Sequence, residues 1–123
     1  MVPIVTIDGP SGSGKGTISK ALALKLNWNY LDSGLLYRCF AFLHNENIEN
    51  ISESFPRIEH KYDSESESIL FDGNDITSAI RGKELTILSS KLSQKSEVRE
   101  QLVQIQKQYR KLPGLVAEGR DMS

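Results

Sequence analysis

Hydrophobic and polar positions along the 123-residue chain change their spacing several times. Residues 1–8 form a short apolar run, which is typical of a strand buried on both faces of a parallel sheet. From residue 15 to 26 the apolar positions recur as on a helix with one buried face: Ile18, Ala21, Leu22 and Leu26. A second strand at 28–31 and a second helix from Ser33 follow, so the βαβα order predicts a parallel sheet.

A different pattern occupies residues 45–81. Segments 57–62 and 69–72 have extended character, and a turn signal, Asp72-Gly73-Asn74, follows the second of them. The polar run DSESES between them is a solvated loop in one interpretation and an acidic partner-binding tract in the other. The pattern predicts an antiparallel insertion into the parallel fold.

The last third of the chain returns to helices and a strand. Residues 84–92 are helical in pattern, and Ser96 is placed to cap a longer helix with one apolar face: Val98, Leu102, Ile105 and Tyr109. The stretch 112–114 ends that helix, and residues 115–117 resemble a third parallel strand.

Composition narrows the possible functions. With 38% hydrophobic and 25% charged residues, the chain has the make-up of one globular domain. Fifteen basic and sixteen acidic residues give a net charge of -1, so we expect neither nucleic acid nor membrane as a partner. No export signal or 18-residue apolar run is visible, which favours the cytoplasm. Cys39 is predicted to be a buried apolar residue, and His44 and His60 to be surface residues.

The glycine-rich stretch GPSGSGKGT carries the clearest chemistry. It joins the first strand to the first helix, where converging backbone N–H groups and the positive end of the helix suit a phosphate. Lys15 would reach the β and γ phosphates, and the Thr17 hydroxyl would be a Mg²⁺ ligand. The predicted phosphate-binding residues are Gly9, Pro10, Ser11, Gly12, Ser13, Gly14, Lys15, Gly16 and Thr17. A dinucleotide site with Asp32 on the ribose is the weaker alternative, because the G-x-G-x-x-G spacing is missing.

Two further stretches follow predicted strands. In LDSGLLYR, Asp32 or Ser33 has the position of a helix cap, and Arg38 lies further along the helix. In EGRDM, Arg120 and Asp121 come just after the third strand, and ligands of open α/β sheets gather at such strand ends. A guanidinium there could bind a phosphate, and a carboxylate could accept from an amino group or a sugar hydroxyl.

Taken in order, these motifs resemble bacterial cytidylate kinases. GPSGSGKGT, LDSGLLYR, the hairpin with FDGNDIT and AIR, SEVRE before a helix ending at LPG, and AEGRDM all match. The resemblance implies ATP and Mg²⁺ at the glycine loop and CMP or dCMP at a second site. The substrate-binding positions it implies are Ser33, Arg38, Ser90, Arg99, Arg120 and Asp121. Among them Arg38 and Arg120 match arginines that hold the phosphate, and the resemblance makes them catalytic together with Lys15. The residues that match the cytosine-reading group are Ser90, Arg99 and Asp121.

The resemblance also implies a fold. We expect an α/β, P-loop NTPase-type parallel sheet with flanking helices, residues 1–123 being the N-terminal part of one kinase domain. The antiparallel hairpin at about 45–81 would be an inserted CMP-binding subdomain, and the protein a monomer. Family members continue beyond GRDM with further strands and an arginine-bearing lid, so this core is truncated by comparison. A strand edge and an apolar face should therefore be exposed.

Two functions follow from these expectations. One is phosphoryl transfer from ATP to CMP or dCMP. The other is a catalytically silent nucleotide-binding module, because lid arginines would be needed for rapid transfer. Leu35, bulkier than the small residue expected after Ser33-Gly34, also departs from the family pattern at the CMP site.

Overall fold

The computed structural model describes residues 1–9, 14–63 and 66–119, which fall into two compact units. The first comprises residues 1–34 and 106–123, and the second residues 35–105. The strands are β1 (Ile4–Asp8), β2 (Asn29–Asp32), β3 (Ile58–Tyr62), β4 (Glu67–Phe71), β5 (Asn74–Asp75) and β6 (Leu115–Gly119). The helices are α1 (Lys15–Leu26), α2 (Ser33–Asn45), α3 (Ile51–Ser54), α4 (Thr77–Arg81), α5 (Lys83–Leu92) and α6 (Ser96–Lys107), with a 3₁₀ turn at Phe55–Arg57.

The first unit contains the predicted parallel sheet. Its strand order is β1-β6-β2, and β6 pairs in parallel with both neighbours. The central strand β6 is buried along its whole length, with Leu115, Val116 and Ala117 at most 2% exposed. Both the α/β fold class and the third strand are thereby confirmed.

Strand β1 differs from its prediction. It begins at Ile4 rather than at residue 1, and its residues alternate between exposed and half-buried instead of being buried on both faces. Within the described part of the chain, β1 pairs only with β6 and therefore forms an edge of the sheet. Ile4 at the start of the strand is accordingly 41% exposed. The expected exposed strand edge is present.

Helix α1 presents a different face to the sheet from the one predicted. Ser19 and Ala23 are fully buried, whereas Ile18 is 60% and Leu26 39% exposed. The helix packs on β6, and small side chains on the contacting face let a helix approach a sheet closely. Most of the apolar stripe identified from spacing is exposed instead of buried.

The helices of the second unit follow their predictions more closely. The α2 residues Leu36, Phe40 and Leu43 are at most 4% exposed, and Cys39 is buried beside them in sequence. Helix α6 begins at Ser96 and buries its apolar positions Val98, Leu102 and Ile105. It ends at Lys107, so Tyr109 lies beyond the helix. No helix in the described ranges is long and apolar enough to span a membrane.

The predicted antiparallel insertion is also present, as the three-stranded sheet β3-β4-β5. Ile58 pairs with Phe71 and Tyr62 with Glu67 in the first hairpin. Asp72 and Gly73 form the tight turn into β5 with φ of 51° and 83°, as two-residue hairpin turns require. The Arg57 guanidinium lies 4.5 Å from the centre of the Phe71 ring and donates from Nε to Asp72 Oδ1 at 2.9 Å.

The acidic run between β3 and β4 is only partly a loop. Residues 64 and 65 lie outside the described residues, but Glu67 belongs to β4 and its carboxylate is 16% exposed. His60 Nε2 lies 2.9 Å from Glu67 Oε2, and Arg81 of α4 donates to the other oxygen. His60, predicted to be a surface residue, is thus half-buried and pairs with Glu67, while His44 is exposed as predicted. Pairing across the sheet determines these contacts.

Candidate functional site

The glycine-rich stretch lies at the carboxyl end of the parallel sheet. Strand β1 ends at Asp8, and the Gly9 N–H donates to the Gly119 carbonyl at 3.2 Å, which joins the start of the stretch to the end of β6. Gly14, immediately before α1, has φ of 84°, a backbone conformation that an L side chain rarely adopts. The predicted loop residues Pro10, Ser11, Gly12 and Ser13 lie outside the described residues. The structure thus describes the two ends of the predicted phosphate loop.

The first turn of α1 presents backbone donors. Ile18 N–H donates to the Gly14 carbonyl at 3.2 Å, so the N–H groups before it belong to the first turn, whose donors have no partner within an α-helix. The first turn carries no acidic residue that would oppose the positive helix end. Gly16 and the exposed Thr17 belong to this turn. Backbone and hydroxyl groups suited to a phosphate and a cation therefore share one helix end.

Three strand ends meet at the same edge. Glu118 of β6 is in register with Ile7 of β1 and with Asp32 of β2. Ser33, a predicted substrate residue, directly follows Asp32 and is 9% exposed. Arg120 and Asp121 come directly after β6 in sequence but lie outside the described residues.

Glu118 is a residue of this edge that sequence reasoning missed. It is only 3% exposed, and its Oε1 accepts a hydrogen bond from the Tyr30 hydroxyl. Burial raises the pKa of Glu118; hydrogen bonds with Tyr30 and Ser19 oppose this shift, and the charge and hydrogen bond of Asp32 add to it. The available signal was one acidic residue at the end of the otherwise apolar strand LVAEG.

Two other predicted residues, Ser90 and Arg99, each form a hydrogen bond with Ser93 in the second unit. Arg99 Nη1 donates to the Ser93 carbonyl at 3.0 Å, and Ser93 Oγ donates to the Ser90 carbonyl at 2.7 Å. Burial raises the pKa of Tyr37 on α2, and the positive charge of Arg99 partly offsets that shift. Sequence reasoning did not select Tyr37. Arg38, the next residue, is half-buried.

A cavity of about 260 Å³ also lies in the second unit. Its walls come from α2, the segment before α3, and the region joining α5 to α6. The lining residues are Phe40, His44, Glu49, Ile51, Leu92, Lys95, Glu97, Val98 and Gln101. None of the predicted substrate residues that the structure describes lines this cavity.

The parallel sheet, the glycine-led first helix and the strand ends beside it define an α/β protein of the P-loop type. The family model described as cytidylate kinase matches residues 5–123. The chain belongs to the cytidylate kinase family.

Curated relatives support this assignment over nearly the whole chain. It is 44% identical to the cytidylate kinase of Stutzerimonas stutzeri, across 98% of this chain and 57% of that protein. It is 43% identical to the cytidylate kinase of Shewanella oneidensis, across 98% of this chain and 56% of that protein. The corresponding enzyme of Aeromonas salmonicida is 39% identical, with 99% and 56% covered. The chain thus spans just over half the length of these relatives.

Proposed function

We propose that this protein takes part in phosphoryl transfer from ATP to CMP or dCMP, which gives ADP and CDP or dCDP. The observation that carries the proposal is the identity of 39–44% to cytidylate kinases along 98–99% of the chain. Support from the geometry comes from the glycine at φ 84° that leads into α1. Such a helix start suits the inner phosphates of a nucleotide.

In this proposal residues 9–17 bind the phosphates of ATP. The Lys15 ammonium neutralises the β and γ phosphates, and the Thr17 hydroxyl is a ligand of Mg²⁺. The exposed position of Thr17 in the first turn of α1 fits that role. When bound, Mg²⁺ supplies charge neutralisation on the transferring phosphoryl group.

The second substrate is CMP or dCMP. We propose that Arg38 and Arg120 hold its phosphate and that Ser33 contributes a hydroxyl. Ser90, Arg99 and Asp121 would read the cytosine, since a carboxylate can accept from its exocyclic amine. The hairpin region at about 45–81 would be the CMP-binding subdomain. Phosphoryl transfer requires little covalent chemistry from the protein. The roles proposed for these groups are therefore to position the two substrates and to neutralise their charge.

A second candidate is a nucleotide-binding module without turnover. The observation that favours it is the edge position of β1 among the described strands, together with the exposed apolar residues of α1. A phosphate cradle can form from contiguous sequence, whereas fast transfer requires further cations around the transition state. This alternative has the same ATP site as the first proposal and differs from it only in the rate of phosphoryl transfer.

Release of ADP, measured with ATP, Mg²⁺ and CMP, tests the proposal. The 123-residue chain is compared with a form extended by the remaining part of a curated relative, and each is also prepared as Lys15→Ala. We expect the extended form to turn over and Lys15→Ala to lower its rate by about a hundredfold or more, because a cation at the developing charge is removed. A variant rate within about threefold of the parent would contradict the role of Lys15.

The same assay identifies the base. Replacing CMP by UMP should lower kcat/KM sharply in the extended form, and Asp121→Ala should narrow that difference, because the site loses an acceptor for the cytosine amine. Equal rates with CMP and UMP would rule out a cytosine-specific substrate. Turnover of the short chain within about tenfold of the extended form would reject the silent module.

A further inference from the structure

The cavity of the second unit lies among residues that the proposed function does not use. Its volume is about 260 Å³, and its lining comes from α2, from the chain around the start of α3 and from the turn between α5 and α6. Sites for cofactors and drug-sized ligands usually have about 300–1,000 Å³. This cavity therefore suits a molecule smaller than a nucleotide.

The buried part of the lining is apolar. Phe40 of α2 and Leu92 of α5 are each 3% exposed, and Val98 of α6 is 5% exposed. Ile51, the first residue of α3, is half-buried. An apolar group that enters the cavity would leave water and contact side-chain carbon atoms from three helices. This part of the lining therefore favours a ligand with an apolar group.

The exposed part of the lining is polar and carries charges of both signs. Lys95 contributes an ammonium group, and Glu49 and Glu97 contribute carboxylates. His44 and Gln101 add an imidazole and an amide, and all five side chains are exposed. With histidine counted as neutral, one ammonium against two carboxylates makes this rim negative, so it would repel the phosphates of a nucleotide.

The charges of the rim do not neutralise one another. The side chains of Lys95, Glu49 and Glu97 form no ion pair or hydrogen bond within residues 1–9, 14–63 and 66–119, although elsewhere such pairs are present. Opposite charges that line one cavity without touching leave space between them. A small ligand with both charges would contact each group without breaking an existing pair.

We infer that this cavity binds a free α-amino acid with an apolar side chain. The ammonium of the ligand lies against the Glu49 or Glu97 carboxylate, and its carboxylate lies against the Lys95 ammonium. Its side chain enters the apolar part of the lining, beside Phe40 and Leu92. An amine or a carboxylic acid with the same side chain would satisfy only one sign of charge on the rim.

Calorimetric titration of the 123-residue chain with L-leucine and L-phenylalanine, without nucleotide, tests the inference. We expect at least one of them to bind with a Kd of about 1 mM or tighter. Isoamylamine lacks the carboxylate of leucine, isocaproate lacks its ammonium, and glycine lacks its side chain. Each of these should bind at least about fivefold more weakly than leucine, because a charge-assisted hydrogen bond or the apolar contact is lost.

A first pair of variants tests the cationic side of the rim. Lys95→Gln should raise the Kd of the tighter-binding amino acid about fivefold or more, because the ligand carboxylate loses a charged donor. Lys91→Gln removes an equal charge from an exposed position of α5 that does not line the cavity. This control should bind within about twofold of the parent. Circular dichroism checks that both variants fold.

A second pair tests the anionic side. Glu49→Gln combined with Glu97→Gln removes both carboxylates of the rim and should raise the same Kd about fivefold or more. Glu46→Gln combined with Glu100→Gln removes two exposed carboxylates that do not line the cavity. The two double variants have the same net charge, so a difference between them comes from the position of the carboxylates.

The outcomes separate a ligand site from a gap in the packing. Binding that is weakened by the cavity variants and not by their controls supports the inference. A Kd weaker than about 1 mM for both amino acids would overturn it, as would equal effects of the cavity and control variants. Isoamylamine or isocaproate binding as tightly as leucine would also overturn it, because the ligand would then need only one charge. None of these results depends on phosphoryl transfer, so the inference and the proposed function can fail independently.

Discussion

Replacing Gly114 by alanine should strain its contact with the Trp28 ring, just before β6 begins. A Cβ on Gly114 would lie 2.4 Å from Cδ2 of Trp28 and 2.6 Å from two further ring atoms, whereas ordinary contacts are 3.4 Å or more. Two of these atoms, Cδ2 and Cε2, form the bond shared by the two indole rings, so the whole ring must move by about 1 Å. The Gly114 carbonyl also accepts from the backbone N–H of Asn29 at 2.9 Å, which limits movement of the backbone.

The expected cost follows from this geometry. Inserting a methyl group into a packed contact typically costs about 1–3 kcal/mol. A domain of this size loses roughly 4 °C in Tm for each kcal/mol, so Gly114→Ala should melt about 4–12 °C below the parent. Because the chain has one tryptophan, the emission of Trp28 should shift in the same variant. Thermal and urea unfolding, followed by circular dichroism, measure the change in free energy of unfolding.

A double-mutant cycle shows whether the indole is the cause. In a Trp28→Leu background the ring is absent, and the penalty for Gly114→Ala should fall below about 1 kcal/mol. Gly114→Ala within about 0.5 kcal/mol of the parent, with unchanged Trp28 emission, would refute the packing argument. An undiminished penalty in the Trp28→Leu background would assign the strain to the backbone instead.

Two further predictions concern charge and apolar exposure. Hydrogen bonding to Arg57 lowers the pKa of Asp72, so the stabilisation it provides is present above the ordinary carboxyl pKa and is lost as pH falls through the lowered value. Asp72→Asn keeps a residue that tolerates the left-handed turn conformation, and it should lower Tm slightly at pH 7 and low salt. The difference in Tm from the parent should vanish in acid. A difference that does not depend on pH would contradict a stabilising ion pair. Ile18→Glu should raise the concentration at which light scattering detects association, because Ile18 is 60% exposed on α1. If the control Lys25→Glu raises the association concentration equally, the effect comes from net charge and not from the apolar surface.

Local sequence signals predicted the elements near the site well. The glycine-rich stretch between an apolar run and a helix correctly predicted the order of β1 and α1, and the Asp72-Gly73 signal correctly predicted a hairpin turn. These features depend on backbone conformations that few residues adopt, so residue identity alone is informative. The roles of Lys15, Arg120 and Asp121 stay predictions.

Contacts that depend on distant parts of the chain could not be predicted in the same way. The apolar spacing in α1 suggested that Ile18 is buried, but β6, about a hundred residues later, packs on Ser19 and Ala23. The contact of His60 with Glu67 could not be predicted, because Glu67 lies on the opposite strand of a hairpin. Periodicity records which residues share a helix face, and it does not record which face another element covers.

The sequence by itself determined the α/β class, the phosphate-loop motif and the antiparallel insertion, because each is encoded in glycines, turns and apolar runs close together in the chain. Only the tertiary structure decided that β1 is an edge strand and that Glu118 lies beneath the first turn of α1. The pairing of β6 between β1 and β2 brings residues 7, 32 and 118 to one edge of the sheet. The environment of that carboxylate follows from strand pairing across more than eighty residues, which no local pattern encodes.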